Sequence, residues 1–405
     1  MKWASAISEK SGLKDAIQEC VTGLRAQLGD EEPDLAVIFA SPHHQSGYDD
    51  VVPMIRKLLP SARAFGCSGG GIIGNGEEVE QRAGLSITAA VLPDVEIVEF
   101  HLDGDSLPDL DAGPDTWEAL VNVTDSQDPQ FVVLADPYSF PVQNLILGLD
   151  FAFSRAAKIG GLASGAQQQG GNALFLGDQT YHSGAVGLAF HGNIAVDTVV
   201  AQGCRPVGHT MRITESRSNI LVGLDGETPM VVLKELFENS GERDRGLMRN
   251  SLFLGVVMDE LLDDPKQGDF LIRNVVGMDE RTGNLAIGEL LKEGQVVQFH
   301  LRDAETSTDD LTAVLERYAT ENRENQIQGA LLFSCLGRGE NLYGKPNHDS
   351  GIFHDKLGSV PLGGFFCNGE IGPVSGTTFL HGHTSSFGIF RSKSYGFVLR
   401  SVPWF

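Results

Sequence analysis

Three short strand-length runs in the chain are apolar over most or all of their length: LAVIFA (35–40), FVVLAD (131–136) and GALLFSC (329–335). A strand with one wet face alternates apolar and polar side chains, because successive residues point to opposite faces. A run without alternation reads as a strand covered on both faces, which requires other layers above and below it. Each run has similar surroundings. Residues 12–28 carry Leu13, Ile17, Val21, Leu24 and Leu28 on one helical stripe before the first run. A helix over 115–123, with Trp117, Leu120 and Val121 on its apolar face, precedes the second, and DLTAVLERY (310–318) precedes the third. Helices are also expected at 48–59 and 142–157. Glycine turns then follow at GCSGGGIIGNG (66–76), IGGLASGAQQQGG (159–171) and GGFFCNGEIG (363–372), and a strand pair at 85–92 and 95–102.

The recurrence keeps a register. Val98-Glu99-Phe100-His101-Leu102 matches Val297-Gln298-Phe299-His300-Leu301, and 36 positions separate both Phe100 from Asp136 and Phe299 from Cys335. A match held through helix, strand and turn reads as internal duplication. The expected fold is therefore α/β: two related layered α/β modules with mixed sheets. The modules are expected at 30–220 and 221–391, after an N-terminal helix (1–29) and before a C-terminal tail (392–405). No linker separates them, so they are expected to share an interface.

Composition removes several function classes. Lys and Arg number 30 against 54 Asp and Glu, a formal charge of −24, and no basic run offsets it. Nucleic acid and anionic membrane surfaces would repel such a chain. The cysteines, Cys20, Cys67, Cys204, Cys335 and Cys367, are odd in number and widely spaced, with no C-x-x-C, so neither a disulfide framework nor a structural zinc site is expected. The N-terminus lacks the apolar core of a signal peptide, and no apolar run reaches the ~20 residues of a membrane span. A cytoplasmic, reduced setting is expected.

Ligands of open α/β sheets bind beyond the carboxyl ends of the strands. Polar clusters follow all three runs: Ser41 to His44, Asp136 to Ser139, and Ser334 to Arg338. In the third, Cys335 is either a nucleophile or a buried structural thiol. Arg338 could lower its pKa or take a carboxylate with two parallel N–H groups. Gly337 would let backbone approach a ligand. The glycine turns match neither a P-loop nor a dinucleotide fingerprint, so no nucleotide is expected. Their Cys67, Ser68, Cys367 and Asn368 could line a pocket, and Glu370 reads as an amine partner, a general base or a solvated turn carboxylate. His381 and His383 would share a face of a strand, but no metal-ligand spacing accompanies them. No metal and no cofactor are expected, and no G-x-S-x-G elbow is present.

Several of these segments together resemble the FIST sensory proteins. GCRPVGHTMRITESRSNILVGLDG (203–226) is similar to that family's junction between N-terminal and C-terminal domains, and TPMVVLKELF (228–237) to the helix that follows it. FSCLGRG (333–339), PLGGFFCNGEIGP (361–373), LAVIFASP and AFGCSGGGIIGNG resemble further family motifs, and MKWASAIS resembles the opening of stand-alone cyanobacterial members. The resemblance implies a sensory protein for a small ligand, with amino acids among the suggested classes. It marks Cys204 and Arg205, Cys335 to Arg338, and Asn368 to Glu370 as family-like positions without assigning roles. No segment reads as an output module, so a signal would leave through a protein partner. The expectation is a small-molecule pocket at the strand ends between modules, with Arg338 or Arg205 on a carboxylate, Glu370 on an amine, and Asp136 at the matching place in the first module. Two other readings stay open: a hydrolase or transferase with Cys335 as thiol nucleophile, and an interaction scaffold.

Overall fold

A computed structural model describes residues 1–393 except residue 260. The first unit runs β1 (Lys2–Ser8), α1 (Leu13–Leu28), β2 (Leu35–Ala40), α2 (Tyr48–Leu58), β3 (Arg63–Ser68), β4 (Gly71–Gly74), β5 (Glu77–Glu80) and β6 (Leu85–Val91). The second runs β7 (Val95–Leu102), α3 (Pro114–Val121), β8 (Gln130–Ala135), α4 (Val142–Ala152), β9 (Lys158–Leu162), β10 (Leu174–Gly177), β11 (Gln179–Tyr181) and β12 (Ala185–Gly192). The third opens with β13 (Ala195–Ala201). An insertion follows: β14 (Cys204–Arg217), β15 (Ile220–Leu224), α5 (Pro229–Asn239), α6 (Glu242–Met248), β16 (Leu252–Val257), β17 (Phe270–Asp279), β18 (Asn284–Ile287) and β19 (Val296–Arg302). The unit then resumes with α7 (Ala304–Glu321), β20 (Gly329–Cys335), α8 (Glu340–Tyr343), α9 (His348–Leu357), β21 (Leu362–Cys367), β22 (Glu370–Val374), β23 (Thr377–His381) and β24 (Ser385–Arg391).

The α/β class and the mixed sheets are as the sequence implied. The three apolar runs are β2, β8 and β20, each parallel to the next long strand and antiparallel to the strand that closes its unit. The repeat extends to a third copy, because all three sheets have one plan. Their orders are β1-β6-β2-β3-β10-β11, β7-β12-β8-β9-β22-β23 and β13-β24-β20-β21-β4-β5. Each unit lends its inner hairpin to another unit's sheet: the first to the third, the second to the first, the third to the second. This exchange closes a ring, and it explains the missing linker. The insertion forms a closed barrel, β14-β15-β18-β17-β16-β19, with its own apolar core.

Inner faces of the three sheets meet in one core, where Phe39 stacks on Phe365 with centroids 4.8 Å apart and Trp3 on Phe390 at 4.6 Å. Helices α1 and α2 cover the outer face of the first sheet, α3 and α4 the second, α7 and α9 the third. Strands covered on both sides need no alternation, which is why their sequences show none.

Four local expectations change. The glycine turns are mostly strand. Gly66, Gly160 and Gly364 sit in β3, β9 and β21, where a Cβ would lie 1.8, 1.8 and 1.9 Å from the carbonyl oxygens of Ile38, Val133 and Leu332. Glycine is there for close approach between strands, at the same place in each unit. The Val98–Leu102 match to Val297–Leu301 pairs unlike elements: β7 edges a sheet, whereas β19 belongs to the barrel, and the counterpart of β7 is β13. The correspondence of Asp136 with Cys335, just past β8 and at the end of β20, holds. Residues 2–8 are a strand paired with β6 rather than part of a helical leader, because α1 and the first sheet together bury them. The 220/221 border falls in the barrel, inside β15, which pairs with β14, and two of the three sheets draw strands from both sides of it. The tail from 394 on lies outside the described residues. No helix among the described residues is long and apolar enough to cross a membrane.

Candidate functional site

Beyond the end of β20 the chain turns through Cys335, Leu336 and Gly337 to Arg338, which is fully buried. A guanidinium without water needs an anion, and α9 supplies one. Arg338 Nε and Nη2 donate to Asp349 Oδ2 and Oδ1 at 2.8 and 3.1 Å. Ser334 and Ser385 hydroxyls donate to Asp349 Oδ2 at 3.0 and 2.5 Å. Burial alone would raise the Asp349 carboxyl; Arg338, then His348, hold it well below the ordinary carboxylate range. The fork of Arg338 is thus taken from within, and only its Nη1 lacks a partner among the described residues. Gly203 is close because a Cβ there would lie 2.7 Å from that nitrogen. Glycine at 203 and arginine at 338, both in the family-like motifs, are explained by this packing.

Glu370, at the start of β22, is also fully buried. It accepts from the Thr384 N–H and hydroxyl at 3.1 and 2.8 Å. Burial, only partly opposed by Thr384, pushes its carboxyl up to about 8, so it is neutral at pH 7. Cys335 lies beside it. Burial, and then the Glu370 charge, push the Cys335 thiol up to about 12. A nucleophilic thiol needs the reverse, a pKa near or below ambient pH. Iodoacetamide at pH 7.5 is therefore expected to alkylate Cys335 far more slowly than free cysteine. Alkylation as fast as the free thiol, read by peptide mass spectrometry, would restore the nucleophile reading.

The other expected residues fall in several separate places. Cys367 is the register partner of Cys335 on β21, and Asn368 Nδ2 donates to Ala163 O at 3.2 Å. Ser68, Asp136 and Asn172 form a separate network at the ends of the first two sheets. Asn172 Nδ2 donates to Asp136 Oδ1 at 2.9 Å, and Ser139 Oγ to Asp136 Oδ2 at 2.6 Å. Ser68 Oγ is 3.1 Å from Asn172 Oδ1. Cys67 is buried in the common core. Arg205 stands apart on the barrel, paired with Asp244 at 2.5 Å and 3.7 Å from Asp303. His381 and His383 do not share a face. His381 Nε2 lies 2.9 Å from Gly372 O, whereas His383 has left the strand with φ +69°.

His383 leads to what the sequence did not mark. Arg302, the last residue of β19, donates from Nη1 to His383 Nδ1 at 2.9 Å. That fixes the proton on Nε2, which donates to Asn274 Oδ1 at 3.1 Å. Burial, then Arg302, push the His383 ring down to about 3, so it stays neutral. Arg302 also lies over the Phe253 ring, 5.5 Å from its centroid, and its Nε has no partner among the described residues. Gly337 makes room for this side chain, since a Cβ there would sit 2.8 Å from Arg302 Nη1. Arg302 and His383 form part of the wall of a cavity of about 480 Å³ on the outer face of the barrel. Arg249, Asn250 and Asn274 add polar groups, Phe253, Val276 and Met278 apolar ones, and no carboxylate among the described residues lines it. The arrangement offers positive charge and N–H donors beside an apolar wall, the composition of a site for a small anion.

Residues 34–227 match the FIST N domain and residues 229–373 the FIST C domain. An uncharacterized protein of Mycobacterium tuberculosis is 34% identical over 96% of this chain and 100% of its own length. An uncharacterized Mycobacterium bovis protein is 33% identical over 93% of this chain and 95% of its own. An F-box/LRR-repeat protein of Arabidopsis thaliana is 28% identical over 40% of this chain and 31% of its own. Among solved structures, a cyanuric acid hydrolase from A. caulinodans aligns over 97% of this chain and 100% of its own, with TM-score 0.36 and 7% identity, too distant to bear on function. With both domain types matched in order across most of its length, the chain belongs to the FIST family.

Proposed function

We propose that this protein is a sensor that binds a small carboxylate-bearing metabolite in the cavity walled by Arg302 and His383, and that a protein partner reads its occupancy. FIST domains are generally sensory domains. One observation carries the ligand class: in a chain with a formal charge of −24, this cavity has two arginines and, among the described residues, no acidic one in its lining. Arg302 is the receiving group, since it stands in the cavity wall and its Nη1 is oriented through His383. Arg338, with its fork held by Asp349, positions the loop after β20 and leaves the ligand to Arg302. An amino acid is the narrower form of this reading. Its carboxylate suits Arg302, while Glu370, neutral at pH 7 and fully buried, is a poor ammonium partner.

Thermal unfolding with a panel of carboxylates, amino acids, phosphates and amines at equal ionic strength is the test. Carboxylates are expected to raise Tm, because a ligand at a hundred times its Kd stabilises the folded state by about 2.7 kcal/mol. A shift with amines alone, or with no anion, would overturn the reading.

A further inference from the structure

The Arg302 cavity contains a second cation that the fold leaves unpaired. Arg249 lines the same wall, is exposed, and makes no hydrogen bond or ion pair among the described residues. Its guanidinium lies over the Phe237 ring, 5.7 Å from the centroid. Backbone pairing brings Arg249 alongside Arg302, because the Arg302 N–H donates at 3.3 Å to the carbonyl of Ser251, just past Arg249 in the chain. The chain holds 54 Asp and Glu, yet none among the described residues reaches this wall to neutralise either arginine.

The donors of the cavity fall in two groups. At Arg302, Nη2 has no partner among the described residues and, unlike Nε, is not fully buried. Asn274 belongs to the same group: its Oδ1 is taken by His383, which leaves its amide N–H groups free among the described residues. Arg249 and its neighbour Asn250 form the other group. Apart from His383, the remaining lining residues are apolar or glycine, Phe253, Val276 and Met278 among them.

A monocarboxylate answers one of these groups and leaves the other cation without an anion. An amino acid adds an ammonium, which two guanidinium groups repel. A phosphate has no apolar part to set against the apolar wall. A short run of methylenes with a carboxylate at each end answers both cations and covers apolar surface as well. Resting on the carboxylate reading of this cavity, we infer that its ligand is a short-chain dicarboxylate, held by Arg302 at one end and by Arg249 at the other.

Isothermal titration of the full chain with succinate, glutarate and adipate, each against the monocarboxylate of equal carbon number, tests this. At least one diacid is expected to bind about fivefold tighter than its match, the scale of one exposed charge pair. The net charge of −24 repels a dianion more than a monoanion, so diffuse electrostatics cannot produce that order. In Arg249→Ala the preference should fall below about twofold, and Arg249→Lys should retain part of it. Arg249 directly follows α6, and a role confined to that helix end would lower Tm in the alanine variant and leave the preference intact. Affinities within about twofold for every pair in wild type, or a preference unchanged in Arg249→Ala, would overturn the inference. Monocarboxylate binding that depends on Arg302 would then leave the carboxylate site standing, whereas binding of no acid at all would remove both.

Discussion

Asp349→Ala is expected to lower the unfolding free energy by about 3–5 kcal/mol in urea titration at pH 7, the range for breaking a buried ion pair from one side. The substitution leaves Arg338 charged, fully buried and without its anion, and strands the Ser334 and Ser385 hydroxyls. Replacing both partners, Arg338→Met with Asp349→Leu, should recover much of the loss, because the cost lies in the uncompensated charge. The acid limb follows from the same pair. The Asp349 carboxyl is held below its unfolded value, so its stabilising contribution is present above about pH 4 and is lost as pH falls below it. A loss under 1 kcal/mol for Asp349→Ala would mean that water reaches Arg338.

The second large effect concerns the exchanged hairpins. Fragments 1–227 and 228–405, made separately, are expected to be unfolded or aggregated, although each matches one domain. The first would expose Ile72 and Ile73, both fully buried, which belong against β21 in the third unit. It would also lack β22 and β23, leaving the β9 edge of the second sheet bare, a template for aggregation. Co-expression should restore a soluble complex with cooperative melting. Circular dichroism and size exclusion on each fragment decide the matter. A first fragment that melts cooperatively as a monomer would refute the exchange of strands.

The strands and their order were legible wherever burial alone fixes a pattern. LAVIFA and FVVLA show their double covering in their composition, whereas the matched spacing from Phe100 and Phe299 starts on unlike strands. The third copy was harder to see because the barrel separates β13 from α7, so the chain there offers β19 as a false counterpart of β7. The hairpin exchange left no local trace, since Gly71–Gly74 would read alike in either sheet. The candidate site was legible in part. FSCLGRG lies beside the candidate site, but its arginine is conspicuous for packing against Gly203 and Asp349. Arg302, Arg249, Asn274 and His383 come from four places in the chain, and only the barrel wall brings them together.

The most direct test of the account is calorimetric titration of the best carboxylate from the panel into wild type, Arg302→Ala and Arg302→Lys. Loss of a charge-assisted pair is worth about 2–3 kcal/mol, so Arg302→Ala should weaken binding at least ~30-fold, and Arg302→Lys should recover part of it. Affinity for the carboxylate that stays within about threefold of wild type in Arg302→Ala would contradict the account.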